Sequence, residues 1–316
     1  MRILITGASG LLAGRLMKYL IENTTHVIRF ASRTQLAETI KSSRIEYTIL
    51  NWESERSMKD NCSGVDVIFH LAGLNAKSCE EDPARAYSFI TIITLKFFEI
   101  AQSENVGKFI YFSSGQVYGS NLIGQVNELI RLDPKNYYAA SKSAAETALL
   151  LRQKKSDTTL FIIRLANSFG APITLTSDCW SLFVNSLVKG GVITNELKIG
   201  SGVNVYKNFV PIHDVVSFCS KLLEVSTSHC EVLNFGSEKS VTLLEMAELI
   251  KESFKLDFGI DTKILVKDDF LYDASDYFTF DLKNMKNLIL NLDRTDPRNE
   301  IRELIAFSKT YFDNVN

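Results

Sequence analysis

The chain has 316 residues, of which 46% are hydrophobic and 23% are charged, and its formal net charge is −2 at pH 7. These values are ordinary for a globular protein, and they show no excess of positive charge that would favour nucleic acid or an anionic membrane as a partner. No stretch is long and apolar enough to span a bilayer. The opening MRILITGASG is a short apolar run closed by glycines, without the extended apolar core of a signal peptide, so we expect a cytoplasmic protein.

The first half of the chain alternates short apolar runs, typical of strands, with amphipathic segments, typical of helices. The predicted strands are Arg2–Thr6, Thr25–Phe30, Tyr47–Leu50, Val65–His70, Phe109–Ser113 and Leu160–Arg164. The predicted helices are Leu11–Glu22, Tyr87–Gln102, Thr242–Ser253 and Asp293–Phe312. Apolar strands separated by helices predict an α/β protein with a doubly wound parallel (Rossmann) sheet and a smaller, interleaved C-terminal substrate lobe. We expect residues 1–166 and about 206–236 to form the dinucleotide-binding domain, and about 167–205 and 237–316 to form the substrate lobe.

Two glycines follow the first predicted strand, in the stretch ILITGASGLLAGRL. Gly7 and Gly10 suit a tight turn and a close approach of the main chain to a pyrophosphate, whose charge the next helix N-terminus would stabilise. Ala13 is small enough for close packing of helix on strand. The motif predicts dinucleotide binding, with Ser9 and Leu11 also contacting the cofactor.

The second strand ends in Ala31-Ser32-Arg33, where NAD-binding proteins carry an acidic residue for the ribose hydroxyl. Serine and arginine suit a 2′-phosphate instead, through charge-assisted hydrogen bonds. A solvated surface arginine is the alternative. We therefore favour NADP(H) over NAD as the cofactor, with NAD possible.

The stretch NYYAASKSAAE places Tyr138 and Lys142 four residues apart, on one face of a helix. An ammonium group close to a phenol lowers the phenol's pKa, which would make Tyr138 a proton donor to a carbonyl oxygen. Upstream, the apolar run ending at Phe112 continues as SSGQVYGS. Such a strand either stops in a polar turn or presents hydroxyls to a ligand.

The cysteines and histidines show no pattern typical of a metal site. The five cysteines form no CxxC pair, and the four histidines lack ligand spacing. We expect no disulfide framework and no metal.

Four motifs in this order, TGASGLLA, FHLAG, FSSGQVYG and YAASK, resemble the extended short-chain dehydrogenase/reductase family, and in particular its nucleotide-sugar epimerase, dehydratase and reductase group. The resemblance continues through residues 162–170, 207–215 and 231–250, about 250 residues in all, and residues after about 255 are not diagnostic. It implies that Tyr138 is the general acid or base, that Lys142 lowers the tyrosine pKa and holds the nicotinamide ribose, and that Ser114 binds the reacting sugar oxygen. Ser113 is expected to be a strand-end residue.

Two positions depart from the family's 4,6-dehydratases, in which an Asp-Glu pair follows that serine. Here Gly115 and Gln116 stand instead, and neither has a titratable proton for water elimination. The departure favours oxidation or reduction at one carbon, alone or as half of an epimerisation. Gln116 is expected to contact the substrate.

The resemblance also implies weaker positions. The backbone of Leu71, Ala72 and Gly73 is expected near the cofactor, and His70 is expected to be a packed histidine. Asn51 and Trp52 would lie near the adenine, although Trp52 equally suits the core. Asn167 would contact the sugar nucleotide, and Lys207 would bind the diphosphate or be simply solvated.

Three functions are compatible with these residues. The leading hypothesis is an NADPH-dependent reductase of a 4-keto(-6-deoxy) nucleotide sugar. The second is an NAD-dependent nucleotide-sugar 4-epimerase, and the third is a non-catalytic dinucleotide-binding relative. The resemblance also implies a homodimer.

Overall fold

The structure is a computed structural model, and it describes residues 1–36, 40–154, 157–200, 202–227, 230–266 and 274–312. The strands are β1 (Arg2–Thr6), β2 (Val27–Ser32), β3 (Ile45–Ile49), β4 (Val67–His70), β5 (Lys108–Ser114), β6 (Gly124–Val126), β7 (Thr159–Leu165), β8 (Asn167–Phe169), β9 (Glu196–Ile199), β10 (Tyr206–Lys207), β11 (Phe209–Pro211), β12 (Glu231–Phe235), β13 (Val241–Thr242), β14 (Lys263–Val266) and β15 (Phe278–Phe280). The helices are α1 (Leu11–Asn23), α2 (Glu55–Cys62), α3 (Ala76–Glu81), α4 (Pro83–Ala86), α5 (Thr94–Ser103), α6 (Tyr137–Gln153), α7 (Phe183–Thr194), α8 (Ile212–Leu222), α9 (Leu243–Phe258), α10 (Lys283–Leu288) and α11 (Pro297–Phe312). A π-helical segment, Tyr87–Ile93, joins α4 to α5, and a 3₁₀ turn, Gly115–Tyr118, follows β5.

Seven strands form one sheet in the order β12-β7-β5-β4-β1-β2-β3, and every neighbouring pair is parallel. From β1 the chain moves outward to β2 and β3, and then returns to place β4 on the other side of β1. The strand order therefore reverses between β1 and β4. In open parallel sheets, ligands bind at such a point, outside the carboxyl ends of the strands.

Alternate residues of these strands face opposite sides of the sheet, as a doubly wound fold requires. In β1, Ile3 and Ile5 pack in a cluster with α1 and α8, whereas Leu4 packs in a second cluster with α2, α5 and α6. Both faces are thus covered by helices. The predicted fold class is confirmed.

The predicted element boundaries differ from the observed ones by a few residues, with two larger exceptions. The segment predicted as the helix Tyr87–Gln102 is a π-helical turn that runs into α5. Strand β12 is missing from the predicted strands because polar Glu231 and Asn234 interrupt its apolar pattern. The last helix begins at Pro297 rather than Asp293, since proline suits the first turn of a helix.

A third hydrophobic cluster lies apart from the sheet and is built mainly by α7, α9, α11 and β9. The division of the chain into two domains stays a prediction. Along the described residues, no helix is both long enough and apolar enough to cross a membrane.

Candidate active site

The glycine turn after β1 is held against the turn after β4. Gly7 has φ +75°, and a Cβ atom there would lie 2.8 Å from the backbone nitrogen of Ala72. The nitrogen of Gly10 donates a hydrogen bond to the carbonyl oxygen of Gly7 (2.8 Å), and α1 starts at the next residue. Only glycine combines this left-handed backbone with this close approach. The turn therefore directs the N–H groups of α1 toward the sheet edge.

A buried hydrogen-bond network fixes the same edge. Thr6 Oγ1 accepts hydrogen bonds from the nitrogens of Leu71 and Ala72, both at 3.1 Å, so its own proton is donated to His70 Nδ1 (3.1 Å). The proton of the neutral imidazole is then on Nε2, which donates to Thr94 Oγ1 (3.1 Å). Burial, together with the charge of Lys142, lowers the pKa of His70 to about 3. His70 is thus a packed histidine, as predicted, and it positions the Leu71–Ala72 backbone through Thr6.

A cavity of about 400 Å³ opens at the point where the strand order reverses, and we call it the glycine-turn cavity. It brings together most of the residues predicted to bind the cofactor. These are Gly7, Ser9, Gly10, Leu11, Ser32, Arg33, Trp52, Leu71, Ala72, Gly73, Tyr138 and Lys142.

At the end of β2, Arg33 and Ser32 differ in what they offer a ligand. Arg33 is exposed, lines the glycine-turn cavity, and has no hydrogen-bond or ion-pair partner in the described part of the chain. The Ser32 hydroxyl donates to the carbonyl oxygen of Thr34, so its proton is already used within the turn. As placed, Arg33 rather than Ser32 has donors available for an anionic group.

The neighbouring residues Asn51 and Trp52 differ in their position relative to the glycine-turn cavity. Asn51 is exposed and is not among the residues lining the cavity, and its Oδ1 accepts a hydrogen bond from the nitrogen of Glu53 (3.0 Å). Trp52 lines the cavity but is only 8% exposed, and its ring packs edge-on against His70, Phe89 and Phe97. Trp52 is therefore both a core residue and part of the cavity wall.

Helix α6 carries the predicted acid–base residues. Its N-cap is Asn136, whose side chain accepts a hydrogen bond from the nitrogen of Ala139 (2.8 Å). Tyr138, Lys142 and Glu146 follow at intervals of four residues and so lie on one face. Buried Glu146 forms an ion pair with Arg164 of β7 (2.7 Å) and also accepts a hydrogen bond from the hydroxyl of Ser113. This anchorage holds the helix against β5 and β7, and it confirms Ser113 as a strand-end residue with a structural contact.

Lys142 is 6% exposed and lines the glycine-turn cavity. Its Nζ donates to the carbonyl oxygen of Phe112 (2.7 Å) and lies 5.9 Å from the centre of the Tyr138 ring. Burial lowers the pKa of Lys142 to about 8. An ammonium group carries more donors than this single contact uses, and no other acceptor is found among the described residues.

The Tyr138 phenol lies next to the side chain of Ser114, the last residue of β5. Burial raises the pKa of Tyr138 to about 12, although the neighbouring Ser114 side chain partly opposes this rise. The predicted lowering of the Tyr138 pKa by Lys142 is therefore not seen. Desolvation of the phenol is the main cause of the raised pKa, and the Lys142 ammonium is hydrogen-bonded to the Phe112 carbonyl. Tyr138 consequently holds its proton at neutral pH.

A second cavity, of about 530 Å³, opens around Ser114, and we call it the Ser114 cavity. Tyr138, Ser113 and Leu165 line both cavities, so the two meet at the tyrosine. The predicted substrate contacts Ser114, Gln116, Asn167 and Lys207 all line it. Its titratable lining residues in the described part of the chain are Lys135, Tyr138 and Lys207, and of these Tyr138 lies next to the Ser114 side chain.

Lys207 and Asn167 lie side by side on short strands at the wall of the Ser114 cavity. Asn167 pairs with Phe209 in the parallel β8–β11 ladder, and its Nδ2 donates to the carbonyl oxygen of Asn208 (2.9 Å). Lys207 is exposed at the cavity mouth, yet the surrounding protein lowers its pKa by desolvation. It has no partner among the described residues, as expected of an amine available to an anion.

Phe278 and Phe280 also line the Ser114 cavity, and the sequence did not single them out. They come from β15, which pairs in parallel with β6 close to the turn after β5. The sequence signal is only an alternation of aromatic residues, typical of a short strand. Nothing in that alternation indicates which cavity the strand reaches.

Comparisons with known proteins identify the family of this chain. Residues 3–236 match the model of the NAD dependent epimerase/dehydratase family. The chain is 27% identical over 270 residues to the GDP-6-deoxy-D-mannose reductase of Pseudomonas aeruginosa, and the match covers 82% of each protein. Among solved structures, it is similar in fold to the UDP-glucuronic acid 4-epimerase of Bacillus cereus in complex with UDP-glucuronic acid and NAD. The TM-score is 0.82 at 18% identity, and the match covers 98% of this chain and 99% of the other. It is also similar to RMD from Pseudomonas aeruginosa complexed with NADPH, with a TM-score of 0.77, 20% identity, and coverage of 98% and 99%.

The chain belongs to the NAD dependent epimerase/dehydratase family, within the extended short-chain dehydrogenase/reductase group, and it is an NAD(P)-dependent enzyme of that type. The glycine-turn cavity fits such a cofactor. The N-terminal turn of α1 contains no acidic residue, Arg33 is unpaired in the described part of the chain, and the buried Lys142 ammonium has donors without a protein acceptor. The N–H groups of that turn, the guanidinium and the ammonium could each donate a hydrogen bond to an anionic dinucleotide.

Proposed function

We propose that this member of the family is an NADPH-dependent reductase of a 4-keto nucleotide sugar, and that the sugar is a 6-deoxy sugar. The observation that carries this proposal is the lining of the Ser114 cavity. Beside the Ser114 hydroxyl it offers one proton donor, Tyr138, and none of the residues that line it in the described part of the chain is a carboxylic acid. Reduction of a ketone needs one proton at the oxygen, whereas elimination of water needs groups that move further protons.

The roles follow from the placement of the side chains. Ser114 would hold the keto oxygen by a hydrogen bond, and Tyr138 would give that oxygen its proton. When bound, NADPH supplies the hydride that forms the new carbon–hydrogen bond. Although a pKa of about 12 makes Tyr138 a weak acid, an alkoxide is a stronger base than a phenolate, so the transfer is favourable.

Lys142 would bind the nicotinamide ribose through the donors that the Phe112 carbonyl leaves unused. At the other end of the substrate, Lys207 would bind the diphosphate and Asn167 the sugar nucleotide. A lysine there acts as a point charge and not as a bidentate fork.

The choice of NADPH rests on Arg33, whose guanidinium lines the glycine-turn cavity without a partner among the described residues. A 2′-phosphate would give it charge-assisted hydrogen bonds. The second candidate is a 4-epimerase with tightly held NAD, because it would use the same Ser114, Tyr138 and Lys142. A cytoplasmic homodimer stays a prediction for either enzyme.

Turnover tests the proposal. NADPH oxidation is followed at 340 nm with 4-keto-6-deoxy sugars linked to GDP, UDP, dTDP and CDP. The wild type is expected to oxidise one NADPH for each sugar that it reduces. Tyr138→Phe is expected to lose turnover and to keep NADPH binding. Failure to oxidise NADPH with every one of these sugars would count against a reductase.

A further inference from the structure

The C-terminal part of the chain contributes an apolar wall to the Ser114 cavity. Phe278 and Phe280 stand two residues apart on β15, so their rings lie on one side of the strand. They are 7% and 5% exposed, and their ring centres are 5.6 Å apart. Both line the Ser114 cavity, with Leu122 beside them.

The Phe280 ring lies where a side chain at position 115 would otherwise point. A Cβ atom on Gly115 would be 2.7 Å from Phe280 Cζ, and one on Gly236 would be 3.1 Å from Phe280 Cδ2. The ring of Tyr118 lies 5.9 Å away, centre to centre. Two glycines and one aromatic ring therefore enclose Phe280, and the absence of a side chain at Gly115 makes room for it.

This position places the ring next to the proposed reaction centre. Gly115 directly follows Ser114, whose side chain lines the cavity next to Tyr138 and would hold the keto oxygen. A substituent attached beside the keto carbon would thus be close to Phe280. Among the groups that a hexose carries next to C4, the C6 methyl of a 6-deoxy sugar is the apolar one.

We propose that Phe280, supported by Phe278, is the specificity-determining residue that receives the C6 methyl group and disfavours a C6 hydroxymethyl or carboxylate group. This inference rests on the proposed function. A hydroxyl set against the two rings loses its water and gains no hydrogen bond from them, and a carboxylate loses more. Because apolar pockets reject an added hydroxyl only moderately, the expected preference for the methyl group is about tenfold to a hundredfold.

Binding of matched ligand pairs tests the assignment. Each pair is a nucleoside diphosphate hexose and its 6-deoxy counterpart, in the GDP, UDP and dTDP series, titrated calorimetrically into protein saturated with NADPH. The wild type is expected to bind the 6-deoxy member about tenfold or more tightly in the series it accepts. Phe280→Gln, which puts an amide at the wall, is expected to lose that preference, whereas the matched control Phe280→Leu, which stays apolar, keeps most of it.

NADPH affinity shows whether each variant is folded, because the glycine-turn cavity does not include β15. If Phe280→Gln does not fold, Phe278→Gln takes its place on the same wall. Equal binding of both members of the pair by the wild type, or an unchanged preference in the glutamine variant, would overturn the assignment while NADPH oxidation still supports a reductase. If no pair binds and no 4-keto sugar is reduced, the proposed function fails and this inference fails with it.

Discussion

Under the proposed function, a single arginine would decide between the two nicotinamide nucleotides. Arg33 follows Ser32, the last residue of β2, and lies at the glycine-turn cavity, where its guanidinium has no partner among the described residues. The neighbouring Ser32 hydroxyl is already used by the Thr34 carbonyl. Recognition of a 2′-phosphate would therefore depend on one charge, which makes it easy to remove by substitution.

Arg33→Asp is expected to weaken NADPH binding by about tenfold to a hundredfold, since hydrogen bonds to charged groups contribute about 1.5–3 kcal/mol each. NADH binding should change much less, because an acidic residue at this position can accept a hydrogen bond from the ribose hydroxyl. Fluorescence titration of both nucleotides measures the two affinities. Arg56→Asp, a change of equal charge at a side chain 92% exposed on α2, is the control. An equal loss for NADPH and NADH would remove Arg33 from the phosphate site.

Lys142 makes the stability of the protein depend on pH in a defined direction. Its ordinary pKa of 10.5 falls to about 8 in the folded protein because burial disfavours the charged form. Below pH 8 the lysine is charged in both the folded and the unfolded state, and the free-energy cost of burying its charge fully lowers the stability of the folded state. Between pH 8 and 10.5 the unfolded state binds more protons, so this cost disappears as the pH rises.

The free energy of unfolding of the wild type, relative to Lys142→Met, is therefore expected to rise by about 2–3 kcal/mol between pH 7 and pH 10, at 1.36 kcal/mol per pKa unit. Urea unfolding of both proteins at the two pH values measures the difference. The variant should also lose turnover. A difference in stability that stays constant with pH would mean that Lys142 keeps its ordinary pKa.

Among the elements, α6 is the one whose function could be read from the sequence. Its spacing of Tyr138 and Lys142 and the cap residue Asn136 are local features, and the structure places both side chains at the two cavities. The pKa of Tyr138 could not be predicted in the same way. It depends on burial by elements distant in the sequence, which desolvates the phenol.

The buried Glu300 carboxylate ties helix α11 to α1, to α8 and to the segment that follows β8. Glu300 is 2% exposed and accepts hydrogen bonds from both terminal nitrogens of Arg15 in α1, and from the backbone nitrogens of Ala171 and His213. Since removal of Glu300 leaves the largely buried Arg15 without its buried partner, Glu300→Ala is expected to lower the free energy of unfolding by about 3–5 kcal/mol.

The control for this prediction is on the next turn of the same helix. Glu303 also contacts Arg15, at 3.6 Å, but its side chain is 64% exposed. Glu303→Ala should cost less than about 1 kcal/mol, as exposed ion pairs do. Urea denaturation of the two variants measures both costs, and similar values for the two would show that Glu300 does not hold the helix.

For the whole molecule, the parallel sheet and the position of its ligand site follow from the sequence, because apolar strands, helices and the glycine turn are local patterns. The wall of the Ser114 cavity does not follow. Phe280 meets Gly115 only through the pairing of β15 with β6, two segments far apart in the chain, and no local pattern indicates that register. Sequence alone thus locates the proposed reacting groups, whereas the fold is needed to show what surrounds them.

The measurement that tests the central claim most directly is the identity and exchange of the bound nucleotide. Purified protein is denatured, any released nucleotide is identified by chromatography, and the native protein is then titrated with NADPH and with NADH. A reductase of the proposed kind should release little nucleotide and should bind NADPH more tightly than NADH. Release of about one NAD per chain, held through purification, would contradict the reductase and favour the 4-epimerase.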